Sequence, residues 1–310
     1  MNRHDETSLT ASLPAAALRW TALVLALLLA ATGCSMSSAQ SDTTSSSPGS
    51  ARSATPSPLR YVALGDSFTS APLVPVTDVA HGCFRSSANY PSLVADRLGA
   101  ELDDRSCGGA ELADLDRSQF PDVPAQLTAL KADTDLVTIG IGGNDGGVFQ
   151  QLTSRCPDLR STDPSGAPCR TALTSGGDDV LRTTLARTGR RLATALAQVR
   201  ARAPQARVLV VGYPQIVAAG SACPELPLAR GDYAWAANVN VALNTALRSA
   251  AAASGSTYVD VFSMSRGHDI CSDDPWINGS VTDQRRAAAY HPFAVEQGAV
   301  ADLVAAAARG

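Results

Sequence analysis

The chain has 310 residues, of which 25 are Lys or Arg and 29 are Asp or Glu, so its formal net charge at pH 7 is −4. The basic residues are scattered along the chain, which argues against nucleic acid as a partner. This length is sufficient for one sizeable hydrophobic core.

The first residues have the features of an export signal. Arg3 and Arg19 precede an apolar run from Trp20 to Ala31, and small residues lead from there to Cys34. The run is shorter than the about 20 residues of a membrane-spanning helix. Small residues directly before a cysteine resemble a lipoprotein signal, in which that cysteine becomes the lipidated first residue. Residues 1–34 are therefore predicted to be a lipoprotein-type signal, with ordinary secretion as the alternative.

Residues 35–58 are almost wholly Ser, Thr, Ala, Pro and Gly. Such a composition buries nothing, so this segment is predicted to be a flexible linker. Residues 59–310 are predicted to form one domain, and we expect a monomer. These predictions place the domain outside the cell, lipid-anchored to the outer face of the cytoplasmic membrane. If Cys34 is not lipidated, the domain is predicted to be secreted.

Short apolar runs alternate with segments of helical period in this domain. This alternation predicts an α/β fold, with a parallel sheet of about five strands covered on both faces. The predicted strands are 59–64, 102–106, 136–141, 207–211 and 257–262, and the predicted helices are 89–98, 123–131, 178–202, 233–253 and 293–308. The segment 154–177 is too irregular for a core element and is predicted to be an insertion pinned by a disulfide near the site.

Small and polar residues follow three of the predicted strands. Ser67 follows the first strand, Gly109 the second and Asn144 the third. Because parallel sheets bind ligands beyond the carboxyl ends of their strands, we expect these residues to converge on one edge. A glycine N–H and an asparagine amide can stabilise an oxyanion, although both residue types are also common in turns.

A serine hydroxyl becomes a useful nucleophile when a base, usually histidine, takes its proton. His291 stands immediately before Pro292 at the start of the last predicted helix, which favours it as the base. His268 follows the fifth predicted strand and is the alternative. His81 lies in a loop beside a cysteine and is interpreted as a surface residue.

Six cysteines remain when Cys34 is set aside. An even number in an exported chain predicts disulfides, and spacing alone does not choose among the possible pairings. A zinc site is not favoured, since the sequence has neither C-x-x-C nor H-E-x-x-H. The nearest-neighbour scheme is the simplest and pairs Cys83 with Cys107, Cys156 with Cys169, and Cys223 with Cys271.

Taken in order, Gly-Asp-Ser at 65–67, Gly109, Gly-Gly-Asn-Asp at 142–145 and His-Pro at 291–292 resemble the SGNH, or GDSL, hydrolases. The six cysteines and Gly-His-Asp-Ile-Cys at 267–271 are similar to its secreted actinobacterial esterase and lipase branch. The resemblance implies a three-layer, flavodoxin-like α/β/α sandwich that needs no metal or organic cofactor. It implies Ser67 as nucleophile and His291 as base, with an oxyanion hole made by the Ser67 and Gly109 N–H groups and the Asn144 amide.

The chain departs from this family at the histidine. Many members have an aspartate three residues before it, where this chain has Ala288. By resemblance to members that use a main-chain oxygen, the Ala288 carbonyl is predicted to orient the His291 ring. The predicted function is an exported serine carboxylester hydrolase that acts on small acyl esters or lipids. The alternatives are a polysaccharide deacetylase of the same fold and a surface-binding lipoprotein without turnover.

Overall fold

The computed structural model describes residues 57–220 and 222–310. The predicted signal, Cys34 and the predicted linker up to residue 56 lie outside these residues. Within the two described ranges, no helix combines the length and the apolar character needed to cross a membrane.

A five-stranded parallel sheet lies at the centre of the domain, as predicted. Its strands in chain order are β1 (Arg60–Gly65), β2 (Glu101–Asp104), β3 (Leu136–Gly140), β4 (Arg207–Val211) and β5 (Thr257–Val259). They lie side by side in the order β2-β1-β3-β4-β5, with every neighbouring pair parallel. The strand order changes direction between β1 and β3. In this flavodoxin-like order, ligands bind in the crevice at the carboxyl ends of those two strands.

Two helices cover each face of the sheet. Helices α1 (Tyr90–Leu98) and α4 (Ala294–Arg309) pack on one face, and α2 (Val180–Arg202) and α3 (Tyr233–Ala253) pack on the other. Alternate residues of β1 point to the two faces, as a pleated strand requires. Tyr61 and Ala63 belong to the core beneath α1 and α4, whereas Val62 and Leu64 belong to the core beneath α2 and α3. The predicted three-layer α/β/α sandwich is confirmed.

Shorter elements connect the layers. Single helical turns occur at Ser67–Ser70, Pro168–Ala172 and Val261–Met264, and consecutive helical turns run through Val148–Gln150, Gln151–Arg155, Cys156–Leu159 and Arg160–Thr162. The turn Arg160–Thr162 is a 3-10 turn, and further 3-10 turns cover Ala80–Gly82, Leu112–Leu115, Gln126–Ala129, Asp145–Gly147 and Arg230–Asp232. Two small antiparallel pairs join Thr77–Asp78 to Arg85–Ser86 and Thr174–Ser175 to Asp178–Asp179.

Three predicted elements are wrong in detail. The strand predicted over 257–262 ends at Val259 and is followed by the helical turn Val261–Met264. The segment 123–131 is predicted to be a helix but contains only the 3-10 turn Gln126–Ala129. The turn is fixed by the buried Gln126 side chain, which accepts from the Gly65 N–H at 2.8 Å and donates to the Gly65 carbonyl at 2.9 Å. The segment predicted to be irregular from residue 154 instead continues the helical turns that begin at Val148 and end at Thr162.

All three predicted disulfides are present. They join Cys83 to Cys107, Cys156 to Cys169, and Cys223 to Cys271, so the nearest-neighbour scheme is confirmed. The first bridge ties the loop before Phe84 to the turn that follows β2, where the Gly108 N–H donates to the Cys83 carbonyl at 2.9 Å. Each bridge therefore links two segments that lie outside the strands of the central sheet and the four long helices.

Candidate active site

Four strand ends supply the residues at the carboxyl edge of the sheet. Ser67 follows β1, Gly109 follows β2, Asn144 follows β3, and Tyr213 follows β4. The first three were predicted from the sequence, and Tyr213 was not. The signal for Tyr213 is the same as for the others, since Gly-Tyr-Pro at 212–214 ends a buried strand.

Ser67 begins a single helical turn that Asp66 caps. The Asp66 carboxylate accepts from the Phe68 N–H at 2.9 Å, and the Asp66 N–H donates to the Gly140 carbonyl of β3 at 3.0 Å. The first N–H groups of a helical turn have no partner within it. The Ser67 N–H is one of these groups, so it can donate to a ligand.

The Tyr213 hydroxyl joins two of the strand ends. It donates to Asp66 Oδ2 at 2.5 Å and accepts from the Gly143 N–H at 2.9 Å, and all of these atoms are buried. Burial raises the pKa of the Asp66 carboxyl to about 7, while the Tyr213 hydrogen bond opposes that rise. Burial likewise raises the pKa of the Tyr213 phenol well above its ordinary value. The phenol therefore acts as a hydroxyl and holds the turn of Ser67 beside the turn of Asn144.

The predicted oxyanion donors lie on adjoining turns. Gly109 has φ +74°, a left-handed conformation that favours glycine over any residue with a side chain. The Asn144 amide donates to the Ala110 carbonyl at 3.0 Å, which leaves its second N–H free to donate elsewhere. Asn144 thus links its own turn to the turn that carries Gly109.

Asp145 makes a second connection between the turn of Asn144 and the turn that carries Gly109. Its buried carboxylate accepts from the Leu112 N–H at 3.0 Å and from Arg191 of α2 at 2.9 Å. Burial raises the pKa of the Asp145 carboxyl to about 6, and the Leu112 N–H and the Arg191 charge oppose the rise. The turns after β2 and β3 are therefore joined by both an amide and a carboxylate.

His291 is oriented by a main-chain oxygen, but not by the one predicted. Its Nδ1 lies 2.7 Å from the Ala289 carbonyl oxygen. The predicted Ala288 carbonyl instead accepts from the Asn278 amide at 3.1 Å and from the His291 N–H at 3.2 Å. The reason is Tyr290, whose φ of +60° turns the chain so that the ring faces the carbonyl two residues back rather than three. Burial lowers the pKa of the His291 imidazole, and the Ala289 carbonyl opposes this effect.

The other candidate groups lie outside this arrangement. His268 stacks on Trp276 with ring centroids 4.0 Å apart, and its Nδ1 lies 2.9 Å from the Asp274 carbonyl oxygen. His81 is exposed, as predicted. Asp283, the nearest acidic residue before His291 in the sequence, accepts from the Arg285 N–H at 2.9 Å within its own loop. Ser67 and His291 line the same cavity, and His268 is not among the residues that line it.

A buried glutamine connects the histidine segment to the serine turn. Gln297 of α4 donates to the Phe68 carbonyl at 3.1 Å and accepts from the Tyr90 N–H at 2.6 Å. It also donates to the buried Glu296 at 2.8 Å, and burial raises the pKa of that carboxyl to about 8. The helix that follows His291 is thus fixed directly to the residue after Ser67.

A cavity of about 300 Å³ opens beside these residues. Ser67, Asn144 and His291 line it, and the exposed Gly109 does not. No hydrogen bond joins Ser67 to His291 within the described residues, and such contacts commonly tighten when substrate binds. Most of the remaining lining is apolar and comprises Val148, Leu152, Ile216, Leu226, Leu228 and Leu243, among others.

Residues 63–294 match the model of the GDSL-like lipase/acylhydrolase family. Lipase 2 of Streptomyces coelicolor is 44% identical over 223 residues, which cover 70% of this chain and 74% of that protein. A lipase of Streptomyces rimosus is 31% identical over 239 residues, covering 76% of this chain and 81% of that protein.

Solved structures agree with these sequence relatives. The phospholipase A1 of Streptomyces albidoflavus NA297 superposes with a TM-score of 0.66 at 30% identity, covering 81% of this chain and 98% of that one. The extracellular lipase of S. rimosus superposes with a TM-score of 0.68 at 28% identity, covering 80% of this chain and 99% of that one. The family match spans well over half of the chain, so the chain belongs to the GDSL-like lipase and acylhydrolase family and is a serine ester hydrolase.

Proposed function

We propose that this ester hydrolase acts through an acyl-enzyme on Ser67, with His291 as the general base. The observation that carries the proposal is that both side chains line one apolar cavity at the carboxyl edge of the sheet. Asn144 lines the same cavity, and the Ser67 N–H is one of the first N–H groups of its helical turn, which have no partner within the turn. The Gly109 N–H completes the set of oxyanion donors, although Gly109 itself is not part of the cavity lining.

In the first half-reaction, Ser67 Oγ attacks the ester carbonyl carbon while its proton moves to His291 Nε2. The negative charge of the tetrahedral intermediate forms on the former carbonyl oxygen, where the Ser67 and Gly109 N–H groups and the Asn144 amide stabilise it. The bond to the alcohol oxygen then breaks, and the alcohol leaves with the proton from His291 Nε2. In the second half-reaction, His291 takes a proton from water, and the resulting attack releases the acid and restores Ser67.

This route requires one tautomer of the histidine. The Ala289 carbonyl accepts a hydrogen bond and cannot donate one, so it holds the ring proton on Nδ1. Nε2 is then left unprotonated and able to accept the Ser67 proton. A carbonyl fixes the tautomer as a carboxylate does, but it carries no full charge to stabilise the imidazolium.

The size and lining of the cavity favour an acyl chain of medium length as the group that binds there. Its volume of about 300 Å³ lies at the lower end of the range of about 300–1,000 Å³ that small-molecule pockets occupy. The buried Asn240 also lines it, and the Asn240 side chain is bonded to backbone: its oxygen accepts from the Ile216 N–H at 2.8 Å, and one of its two amide N–H groups donates to the Pro214 carbonyl at 3.2 Å. An acetyl group would fill a small part of such a cavity, so the lining favours lipid or acyl esters over acetylated polysaccharide. The lipase and phospholipase A1 names of its relatives support the same class.

The proposal includes export and attachment to the outer face of the cytoplasmic membrane through Cys34. The basic start, the apolar run and the small residues before Cys34 support it. The S. rimosus relative is extracellular, which supports export but not the lipid anchor. Ordinary secretion without lipidation is the competing outcome.

Replacing Ser67 with Ala tests the nucleophile. We expect hydrolysis of short and medium acyl esters to fall to background while the melting temperature stays close to that of the wild type. A fluorophosphonate probe should label the wild type once per chain and should not label the variant. Ser87→Ala, at an exposed serine, is the matched control and should keep both properties. An unlabelled wild type without turnover would favour the non-catalytic lipoprotein.

Replacing Asn144 with Ala tests the oxyanion hole. Loss of one donor typically lowers kcat by about 10²–10³, with a much smaller effect on KM. Kinetics on a soluble ester measure both constants, and thermal unfolding checks that the lost bond to Ala110 has not disrupted the fold. Asn238→Ala, at an exposed position on α3, is the control. An unchanged kcat in Asn144→Ala would exclude Asn144 as a donor.

The acid side of the pH profile tests His291. The base must be neutral, and burial lowers the pKa of its imidazole below the ordinary value of 6.5. Activity is therefore expected to persist below pH 6.5 and to be lost as the pH falls further and the ring is protonated. The measurement is kcat/KM against pH on a soluble ester, together with an NMR titration of the His291 ring. A midpoint above 6.5 in both would contradict a buried, carbonyl-paired base.

The lipid anchor is tested by the position and mass of the mature protein. We expect the wild type in membrane fractions, with a diacylated Cys34 as its first residue by mass spectrometry. Cys34→Ser should remove the protein from those fractions without changing the activity of the domain. A mature N-terminus at any other residue would leave ordinary secretion as the explanation.

A further inference from the structure

The cavity beside Ser67 has two walls that come from distant parts of the chain. One wall is the run of helical turns that includes Val148 and Leu152. The other wall includes Val239 and Leu243 of α3. The distance between these walls fixes how closely an acyl chain can be packed.

The first wall is bonded covalently at its far end. Cys156 comes four residues after Leu152 and is joined to Cys169, and both cysteines are fully buried. Cys169 lies in the helical turn Pro168–Ala172, which packs against the segment that leads into α3. Any movement of the first wall is therefore transmitted to this turn.

A single buried carboxylate binds the start of the helical turn Pro168–Ala172. Asp232 is fully buried and accepts from the Cys169 N–H at 3.0 Å and from the Arg170 N–H at 2.9 Å. Asp232 directly precedes Tyr233, the first residue of α3, so it is continuous with the second wall. The Gly231 N–H adds a hydrogen bond of 2.8 Å to the Gly166 carbonyl beside it.

We propose that the Cys156–Cys169 disulfide and Asp232 together act as a tie that sets the width of the acyl cavity, and with it the selectivity for acyl chain length. The inference rests on the proposed function, because it concerns the acyl chain of the Ser67 ester. The tie touches neither Ser67 nor His291. Loosening it changes how well added methylenes are packed and leaves the chemistry at the ester carbon intact.

The expected effect follows from the packing of each methylene. Burial of one methylene in a well-fitted apolar site improves binding by about fourfold. A butyryl ester and an octanoyl ester differ by four methylenes, so a well-fitted cavity gives them very different values of kcat/KM. If loosening the tie removes about two fifths of that gain, the ratio of kcat/KM for octanoyl over butyryl ester falls by about tenfold.

The test uses nitrophenyl butyrate and nitrophenyl octanoate with four variants. Asp232→Asn loses one of the two accepted hydrogen bonds and should lower the octanoyl/butyryl ratio by about tenfold, with butyrate turnover within about threefold of the wild type. Asp232→Ala should lower the ratio further. Gly231→Ala disturbs the same region sterically. Its Cβ would lie 2.6 Å from the Gly166 carbonyl oxygen, so the segment that carries Gly166 and Cys169 must move away. A double Cys156→Ser, Cys169→Ser variant should change the ratio in the same direction.

Two matched controls separate the tie from general effects. Asp158→Asn makes the same chemical change at an exposed position in the same segment, and Gly220→Ala adds a methyl group where nothing lies within 4 Å. Both should keep the wild-type ratio. An unchanged ratio in Asp232→Asn and Gly231→Ala, or equal losses on both esters, would overturn the proposal. Butyrate hydrolysis that survives Ser67→Ala would instead overturn the proposed function, so the two failures are distinguishable.

Discussion

The hydroxyl of Tyr213 makes the contact on which the geometry of this site depends. It bonds at once to the Asp66 carboxylate and to the Gly143 N–H, so the ends of β1, β3 and β4 meet at one buried oxygen. The cost of removing that oxygen is high, because a buried carboxyl and a buried N–H would both lose a partner. Ser67 follows Asp66 and Asn144 follows Gly143, so this contact fixes the positions of Ser67 and Asn144.

The rest of the edge is built in the same way, by polar side chains that satisfy loop backbone. Loops leave N–H and carbonyl groups without sheet partners, and burying them without a bond is costly. The Gln126 side chain bonds to both the N–H and the carbonyl of Gly65. The Asp145 carboxylate accepts from the Leu112 N–H, and the Gln297 amide donates to the Phe68 carbonyl. These side chains do no chemistry in the proposed mechanism, yet they join the turns that carry Ser67, Asn144 and His291. The edge is therefore rigid without regular secondary structure, which is the condition for preorganised oxyanion donors.

The sequence predicts the layers and the strand ends well, because both depend on local pattern. Alternating apolar runs and helical periods give the five strands and the four long helices, and the residues after the strands include Ser67. What it does not predict depends on contacts between distant residues or on unusual backbone. Tyr213 is 147 residues from Asp66 and meets it only through the strand order. The choice of the Ala289 carbonyl over the Ala288 carbonyl depends on Tyr290 in a left-handed conformation, which no residue pattern indicates.

A neutral partner for His291 changes where charge must be stabilised in the proposed mechanism. A carboxylate beside the ring would favour the imidazolium, whereas the Ala289 carbonyl does so weakly and burial disfavours it. The transition state then depends more heavily on the oxyanion donors. A negative charge on Asp66, adjacent to Ser67, would oppose the oxyanion. Burial raises the pKa of the Asp66 carboxyl to about 7, so a substantial fraction of it is neutral near that pH. The neutral partner of His291 and the raised pKa of Asp66 thus act in the same direction, since each reduces the negative charge held beside Ser67.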